Sequence, residues 1–184
     1  MKRIRNQQDP LYVPDYFAGG VGDIDFAKLK KDGVKVLAFD ADNTLIAFSL
    51  SPFHPKHIGD KLLKKLQKNR KLFDKWIIAS NRPTNDLQEL ATSIRAQVVR
   101  AGLLHRKPRK EYFREVIKRA DVKPGQIAMV GDKLLADMYG AKRTGMKTVM
   151  VKPVGADNPL DWLIQTRRLE RWLLKKFIKP SSFS

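Results

Sequence analysis

Cysteine is absent from the 184-residue chain, so a disulfide framework or a thiolate metal site is excluded. That absence fits a reducing compartment. Also missing is any unbroken apolar run of the roughly 20 residues that a membrane-spanning helix needs. The opening MKRIRNQQDP is basic but has no apolar stretch behind it, so no secretory signal is expected and the cytoplasm is the expected compartment. Acidic residues are few: 19 Asp and Glu against 37 Lys and Arg leave a formal charge of +18. A field of that sign draws a protein to polyanions, either nucleic acid or an anionic membrane surface, and charge alone does not choose between them. Internal repeats and low-complexity tracts are lacking as well. With 42% hydrophobic residues, a chain of this length is expected to bury one core.

Residues 1–22, with Pro10, Pro14 and several glycines, read as an irregular lead-in segment anchored by Tyr12, Tyr16 and Phe17. Beyond it, short apolar runs at 34–39, 76–79, 97–99, 126–130 and 148–151 have the continuous character of strands buried on both faces. Helical spacing fills the intervals at 59–72, 84–95, 109–120 and 134–144. Leu62, Leu63 and Leu66 share one helical face, as do Tyr112, Phe113, Val116 and Ile117. Alternating strands and helices predict an α/β fold, a parallel sheet flanked by helices, with that domain over 23–158. Residues 159–184 then read as a basic, amphipathic helix and tail. Trp162, Leu163, Leu169, Leu173, Leu174 and Phe177 form its apolar arc, opposite Arg168, Lys175, Lys176 and Lys179. Glu170 interrupts the arc, and Trp172 falls outside it.

The run VLAFDADNTL, residues 36–45, ends a strand on two aspartates one residue apart. Like charges that close repel, and a strand end gains nothing structural from them. In open α/β sheets, however, ligands bind beyond the carboxyl ends of the strands. Four places carry polar residues suited to phosphate chemistry: Asp40 to Thr44, Ser80-Asn81 after WIIA, Lys107-Pro108 opening a helix, and GDKLLAD at 131–137. Each has a plain structural explanation alone, as a helix cap, a turn or one more surface cation. Their occurrence together, in this order, does not.

The ordered set resembles the haloacid dehalogenase (HAD) superfamily of phosphohydrolases, whose Rossmann-like fold this chain would share. DADNT matches its first motif, Ser80 the second, Lys107 the third, and Asp132 with Asp137 the fourth, in the form GDxxxxD. The resemblance implies that Asp40 is a nucleophile forming an aspartyl-phosphate, and that Asp42 serves in turn as acid and base. It also implies a Mg²⁺ ion held by Asp40, the carbonyl of Asp42 and Asp132, with Asp137 and Thr44 in support. Ser80, Lys107 and Asn81 would bind the phosphoryl oxygens. Lys133, next to Asp132, either turns away or weakens the metal shell.

In this superfamily, caps over small substrates are inserted after the first motif or between the second and third. Only residues 43–79 separate Asp42 from Ser80, and only 81–106 separate Ser80 from Lys107, so neither interval holds a cap. The chain resembles the uncapped subclass III, and within it the phosphatidylglycerophosphate phosphatase family, through PDY at 14–16, GVK at 33–35, DNTL, the stretch DMYGAKRTGM at 137–146 and TRRLER at 166–171. That family usually follows the second motif with two Asn residues, whereas here Asn81 precedes Arg82 and Pro83, and Arg82 either contacts a phosphate or sits on the surface. A lipid headgroup bearing phosphate is the substrate so implied, with an anionic membrane surface as partner and a peripheral place on the inner face of a membrane. Cations after motif I (Lys56, Lys61, Lys64, Lys65, Lys68, Arg70, Lys71) and around motif III (Arg106, Arg109, Lys110, Arg114) would face it. The loop FSLSPFHP at 48–55 would line the site or dip into lipid, and the tail would either pack on the sheet or lie at the interface. His54, His57 and His105 read as surface or structural residues. A phosphatase acting on nucleic acid ends, or a non-enzymatic RNA- or ribosome-associated module, are the alternatives the charge serves equally well.

Overall fold

The computed structural model describes residues 1–3, 11–48, 57–82, 87–102 and 105–155, together with Arg168, Glu170 and Trp172. Among these, seven strands form one sheet: β1 (Lys2–Arg3), β2 (Tyr16–Ala18), β3 (Val36–Phe39), β4 (Lys75–Ser80), β5 (Gln97–Arg100), β6 (Ile127–Gly131) and β7 (Lys147–Val151). Their order is β1-β2-β7-β6-β3-β4-β5. The six strands from β2 to β5 run parallel, and β1 pairs antiparallel at the edge. Helices α1 (Phe26–Lys31), α2 (Asp60–Asn69), α3 (Leu87–Ser93) and α4 (Lys110–Ala120) fill the connections. After β6 comes a π-helical segment, Leu134–Tyr139, running into a single α-helical turn, α5 (Gly140–Lys142).

Alternation along the strands builds two cores, one on each face of the sheet. Leu37, Phe39, Trp76, Ile78, Ala128 and Val130 point to one side, where Phe26 and Leu29 of α1, Leu66 of α2, and Leu87 and Leu90 of α3 cover them. Val36, Ala38, Ile77, Ala79, Ile127 and Met129 point to the other, against Tyr112, Phe113 and Val116 of α4 and Ala141 of α5. Trp76 anchors the first core, stacked on Phe26 at 6.3 Å and meeting Phe39 edge-on at 5.3 Å. Burial on both faces is why the central strands read as continuous apolar runs.

Two departures from expectation have physical causes. Tyr16–Ala18 lies in the stretch expected to be irregular, yet it is a buried strand paired with β7. The clasp is Asp15, which accepts from the Thr148 amide at 2.8 Å, pairs with Lys142, and whose own amide donates to Thr148 Oγ1 at 3.0 Å. A three-residue strand has no period to detect; pairing imposes its conformation. Helix α1 was likewise unexpected: at six residues it is too short for a periodic signal, and it starts because Asp25 accepts from the Lys28 amide at 2.9 Å. The apolar arc of the tail and residues 49–55 of the loop after motif I lie outside the described residues.

Asp40 follows Phe39, which is level with Ile78 on β4 and Val130 on β6, and the Asp40 amide donates to the Val130 carbonyl at 2.8 Å. Three neighbouring strands therefore deliver Asp40, Ser80 and Asp132 to one edge of the sheet. The backing of that edge is tight. A Cβ at Gly140 would overlap the Phe113 ring across the α4–α5 contact. Gly140→Ala is expected to cost about 1–3 kcal/mol by overpacking, read as a lower midpoint in urea denaturation.

Candidate active site

The chain leaves β3 through a tight loop. The Ala41 carbonyl accepts from the amides of Leu45 at 3.0 Å and Ile46 at 3.1 Å. Asn43 makes the reversal at φ 58°, in the left-handed region that Asn tolerates better than most side chains. Its Oδ1 accepts from the Phe48 amide at 2.9 Å, and its carbonyl accepts from the Val154 amide at 2.9 Å. Thr44 is fully buried beneath, its hydroxyl without a hydrogen bond among the described residues. The loop leaves Asp40 buried and Asp42 half-buried at the mouth of a cleft of about 380 Å³.

Lys107 enters from the opposite side, ahead of α4. Its Nζ donates to Asp40 Oδ1 at 2.5 Å, to Asp137 Oδ1 at 2.7 Å and to the Ala79 carbonyl at 2.9 Å. An ammonium has three donors, and all three are used. Asn81 holds the backbone there: its Oδ1 accepts from the Lys107 amide at 2.9 Å, and its Nδ2 donates to the Lys107 carbonyl at 3.2 Å. Asn81, expected as a phosphoryl donor, thus bonds to the residue that carries the cation. Beneath, the Tyr112 hydroxyl lies 2.7 Å from the Val99 carbonyl and 3.2 Å from that of Ser80, tying β4 to β5, and burial pushes its pKa up.

Asp137 is completely buried, and its second oxygen accepts from the Lys133 amide at 3.1 Å. It reaches this place because Gly131 has no side chain; a Cβ there would collide with the Asp137 carboxylate. Carboxylate oxygens of Asp40, Asp132 and Asp137 lie within 4.8 Å of one another. Three carboxylates around one ammonium leave a surplus of negative charge in a buried site. Burial pushes the Asp40 carboxyl up to about 8, Lys107 opposing and Asp137 and Asp132 adding to the rise. Burial alone would lower the Lys107 pKa, but Asp137 and Asp40 outweigh it and hold the ammonium charged. An all-oxygen, electron-rich pocket suits a hard divalent cation. With both Asp137 oxygens already bonded to Lys107 and Lys133, Asp40 and Asp132 are the carboxylates that fit one.

Ser80 is buried at the end of β4, its Oγ accepting from the Arg82 amide at 3.1 Å, which leaves its own proton to donate. Lys133 lines the cleft rather than turning away. Two further residues join the site: Glu170, which was not expected there, and Arg82, which by sequence either contacts a phosphate or sits on the surface. Arg82 pairs with Asp42, its Nε 3.2 Å from Oδ2 and its Nη2 on Oδ1. Glu170, from the tail, is only 4% exposed, lines the same cleft, and accepts from the Leu135 amide at 2.9 Å. In the sequence it is a charge interrupting an apolar arc, within TRRLER at 166–171; Trp172, outside that arc, is 54% exposed. His57 and His105 are exposed and line no part of the cleft, while His54 lies outside the described residues.

Two outcomes follow from this geometry. Glu170 caps the first turn of the π-helical segment, so Glu170→Ala is expected to cost roughly 1 kcal/mol, while Glu170→Gln keeps the acceptor and most of the stability; thermal melts compare the two. For Asp40, the folded-state pKa of about 8 lies above the ordinary 3.8, so the proton is held more tightly in the folded protein. Its contribution to stability is complete below the ordinary value and is lost as pH rises through about 8. In chelator, Asp40→Asn should therefore gain on the wild type with rising pH, by ~1 kcal/mol or more across that window, measured by urea denaturation.

Residues 104–161, which carry Lys107, Asp132 and Asp137, match the family model described as HAD-hydrolase-like. The probable phosphatase YqeG of Bacillus subtilis (strain 168) is 25% identical over 148 residues, covering 80% of this chain and 81% of its own. Phosphatidylglycerophosphate phosphatase 1 of Arabidopsis thaliana is 28% identical over 163 residues, covering 85% of this chain; the chain spans 45% of that protein's length. Among solved structures, an uncharacterized protein from Listeria monocytogenes serotype 4b superposes with a TM-score of 0.52 over 73% of this chain and 99% of its own, at 17% identity, a likeness of fold. Taken with the four motifs at one edge of a parallel sheet, these matches show that the chain is similar to the haloacid dehalogenase-like hydrolases and support a phosphatase activity.

Proposed function

We propose that this phosphatase removes the terminal phosphate of phosphatidylglycerophosphate, or of another large phosphomonoester presented at an anionic surface. The observation that carries the chemistry is Asp40, buried against the Lys107 ammonium at the carboxyl ends of the central strands. An oxygen of Asp40 attacks phosphorus, the bond from phosphorus to the leaving oxygen breaks, and the Asp42 carboxyl gives that oxygen a proton. Asp42, now ionised, takes a proton from water. The water oxygen attacks the aspartyl-phosphate, inorganic phosphate departs, and Asp40 is restored. Lys107, Lys133 and the Ser80 hydroxyl supply positive charge and a donor to the phosphoryl oxygens. Asp40, Asp132 and the Asp42 carbonyl are the groups that fit Mg²⁺, which when bound neutralises phosphoryl charge.

Three observations support a lipid substrate. The Arabidopsis relative that bears this activity in its name is similar over 85% of the chain. Among the described residues, α2 lies between the first and second motifs, and α3 with β5 between the second and third, which suits an uncapped, open site. Exposed cations lie on α2, between the first and second motifs (Lys61, Lys64, Lys65 and Lys68), and next to Lys107 in the chain (Arg106, Arg109 and Arg114). Each contributes about 1 kcal/mol near an anionic membrane surface. No described helix is long and apolar enough to cross a membrane, so attachment would be peripheral.

The test is phosphate release from three substrates in parallel: phosphatidylglycerophosphate in mixed micelles, an oligonucleotide with a terminal phosphate, and a small aryl phosphate. Expected is turnover of the lipid that disappears with chelator, returns with Mg²⁺, and falls at least ~10³-fold in Asp40→Asn. Turnover of the oligonucleotide without the lipid would favour the nucleic-acid reading. Release from any substrate that persists in Asp40→Asn would remove Asp40 as the nucleophile.

A further inference from the structure

Arg82 stands where the family resemblance has a second Asn, and its side chain lies on the proposed acid–base residue. Nε donates to Asp42 Oδ2 at 3.2 Å and Nη2 donates to Oδ1, so both carboxylate oxygens rest on one edge of the guanidinium. The pair is largely out of solvent, with side chains 10% and 22% exposed. The Arg82 amide is fixed on Ser80 Oγ at 3.1 Å, which sets the residue at the end of β4, beside the place of the phosphoryl group. Neither the chemistry at Asp40 nor the metal ligands account for a cation there.

Resting on the role proposed for Asp42, one consequence follows. To reach the leaving oxygen, the Asp42 carboxyl must turn from the guanidinium. A mostly buried cation that loses its carboxylate is strongly unfavourable unless another anion takes its place. We propose that Arg82 is a receptor for a second anionic group on the substrate, close to the leaving oxygen, and exchanges Asp42 for that group as the substrate binds. The exchange replaces the Asp42 contact on Arg82 and frees the Asp42 carboxylate to take a proton from solvent and pass it to the leaving oxygen.

The substrate class is then narrower than phosphomonoesters at large: a phosphodiester or carboxylate lies a few bonds from the ester oxygen. A guanidinium edge matches two oxygens of either group, as it matches those of Asp42. Phosphatidylglycerophosphate meets the requirement, because its phosphodiester sits at the far end of the same glycerol. With a phosphomonoester that lacks a second anion, the contact Asp42 gives up on Arg82 is not replaced, so selectivity arises from the cation and not from a lid.

The experiment compares the full chain with Arg82→Ala and Arg82→Lys on phosphatidylglycerophosphate, 3-phosphoglycerate and glycerol 3-phosphate, the last having no second anion. The wild type is expected to prefer the first two in kcat/KM. Arg82→Ala should shrink that preference by roughly 10- to 100-fold, chiefly through KM, and Arg82→Lys should restore only part of it. A second readout needs no turnover: inhibition by glycerophosphoglycerol, a phosphodiester without a monoester, should weaken about 10-fold or more in Arg82→Ala. A residue that merely positioned Asp42 would leave that inhibition constant unmoved, and an unmoved constant overturns the proposal. Lipid turnover with a preference indifferent to Arg82 also overturns it while leaving the lipid reading intact. Arg82-dependent preference for 3-phosphoglycerate, with the lipid untouched, upholds the receptor and removes the lipid.

Discussion

Taking an ammonium and its carboxylate neighbours out of water costs more than any single pair returns, unless every polar atom finds a partner. Lys107 meets that condition with all three donors, on Asp40, Asp137 and the Ala79 carbonyl. Much of the surrounding architecture serves that one ammonium. Asn81 grips the Lys107 backbone, Gly131 leaves room for Asp137, and the Lys133 amide takes the second Asp137 oxygen. Tyr112 ties the carbonyls of the flanking strands beneath. Negative charge remains in surplus after these contacts, and that surplus suits the pocket to a divalent cation.

The sheet supplies the rest of the geometry. Parallel strands in register bring their carboxyl ends level, so residues far apart in the chain meet on one edge. Charge at that edge is tolerated because its buried groups pair with one another beside an open cleft, whereas the strands behind it are sealed by two apolar cores. The tail has a double bearing on the site. Glu170 is buried against the π-helical segment and lines the cleft, while Trp172, two residues on, is exposed. Glu170 thereby joins a residue late in the chain to the wall of the site.

Legibility followed physical scale. The central strands were visible because burial on both faces demands continuous apolar runs, and α2 and α4 because their one-sided burial demands a helical period. Strand β2 and helix α1 were not, since three and six residues carry no period, and pairing with β7 or a single Asp25 cap decides them. Within the site, the order and type of Asp40, Asp42, Ser80, Lys107, Asp132 and Asp137 could be read directly. The partners of those residues could not. Asn81, read as a phosphoryl donor, lines the cleft and also bonds the Lys107 backbone; Lys133 was ambiguous and lines the cleft.

What the sequence by itself determined is the chemistry available: strand ends that must carry carboxylates, one lysine in the place of a counter-ion, and a large excess of positive charge. Covalent order and hydrophobic period suffice for that, because both are local properties of the chain. Only the tertiary structure decided which charges pair. Arg82 lies 40 residues from Asp42, and Glu170 lies 35 from Leu135. Their contacts arise from how the sheet and tail bring surfaces together, and side-chain pairing across such distances leaves no periodic trace in the sequence.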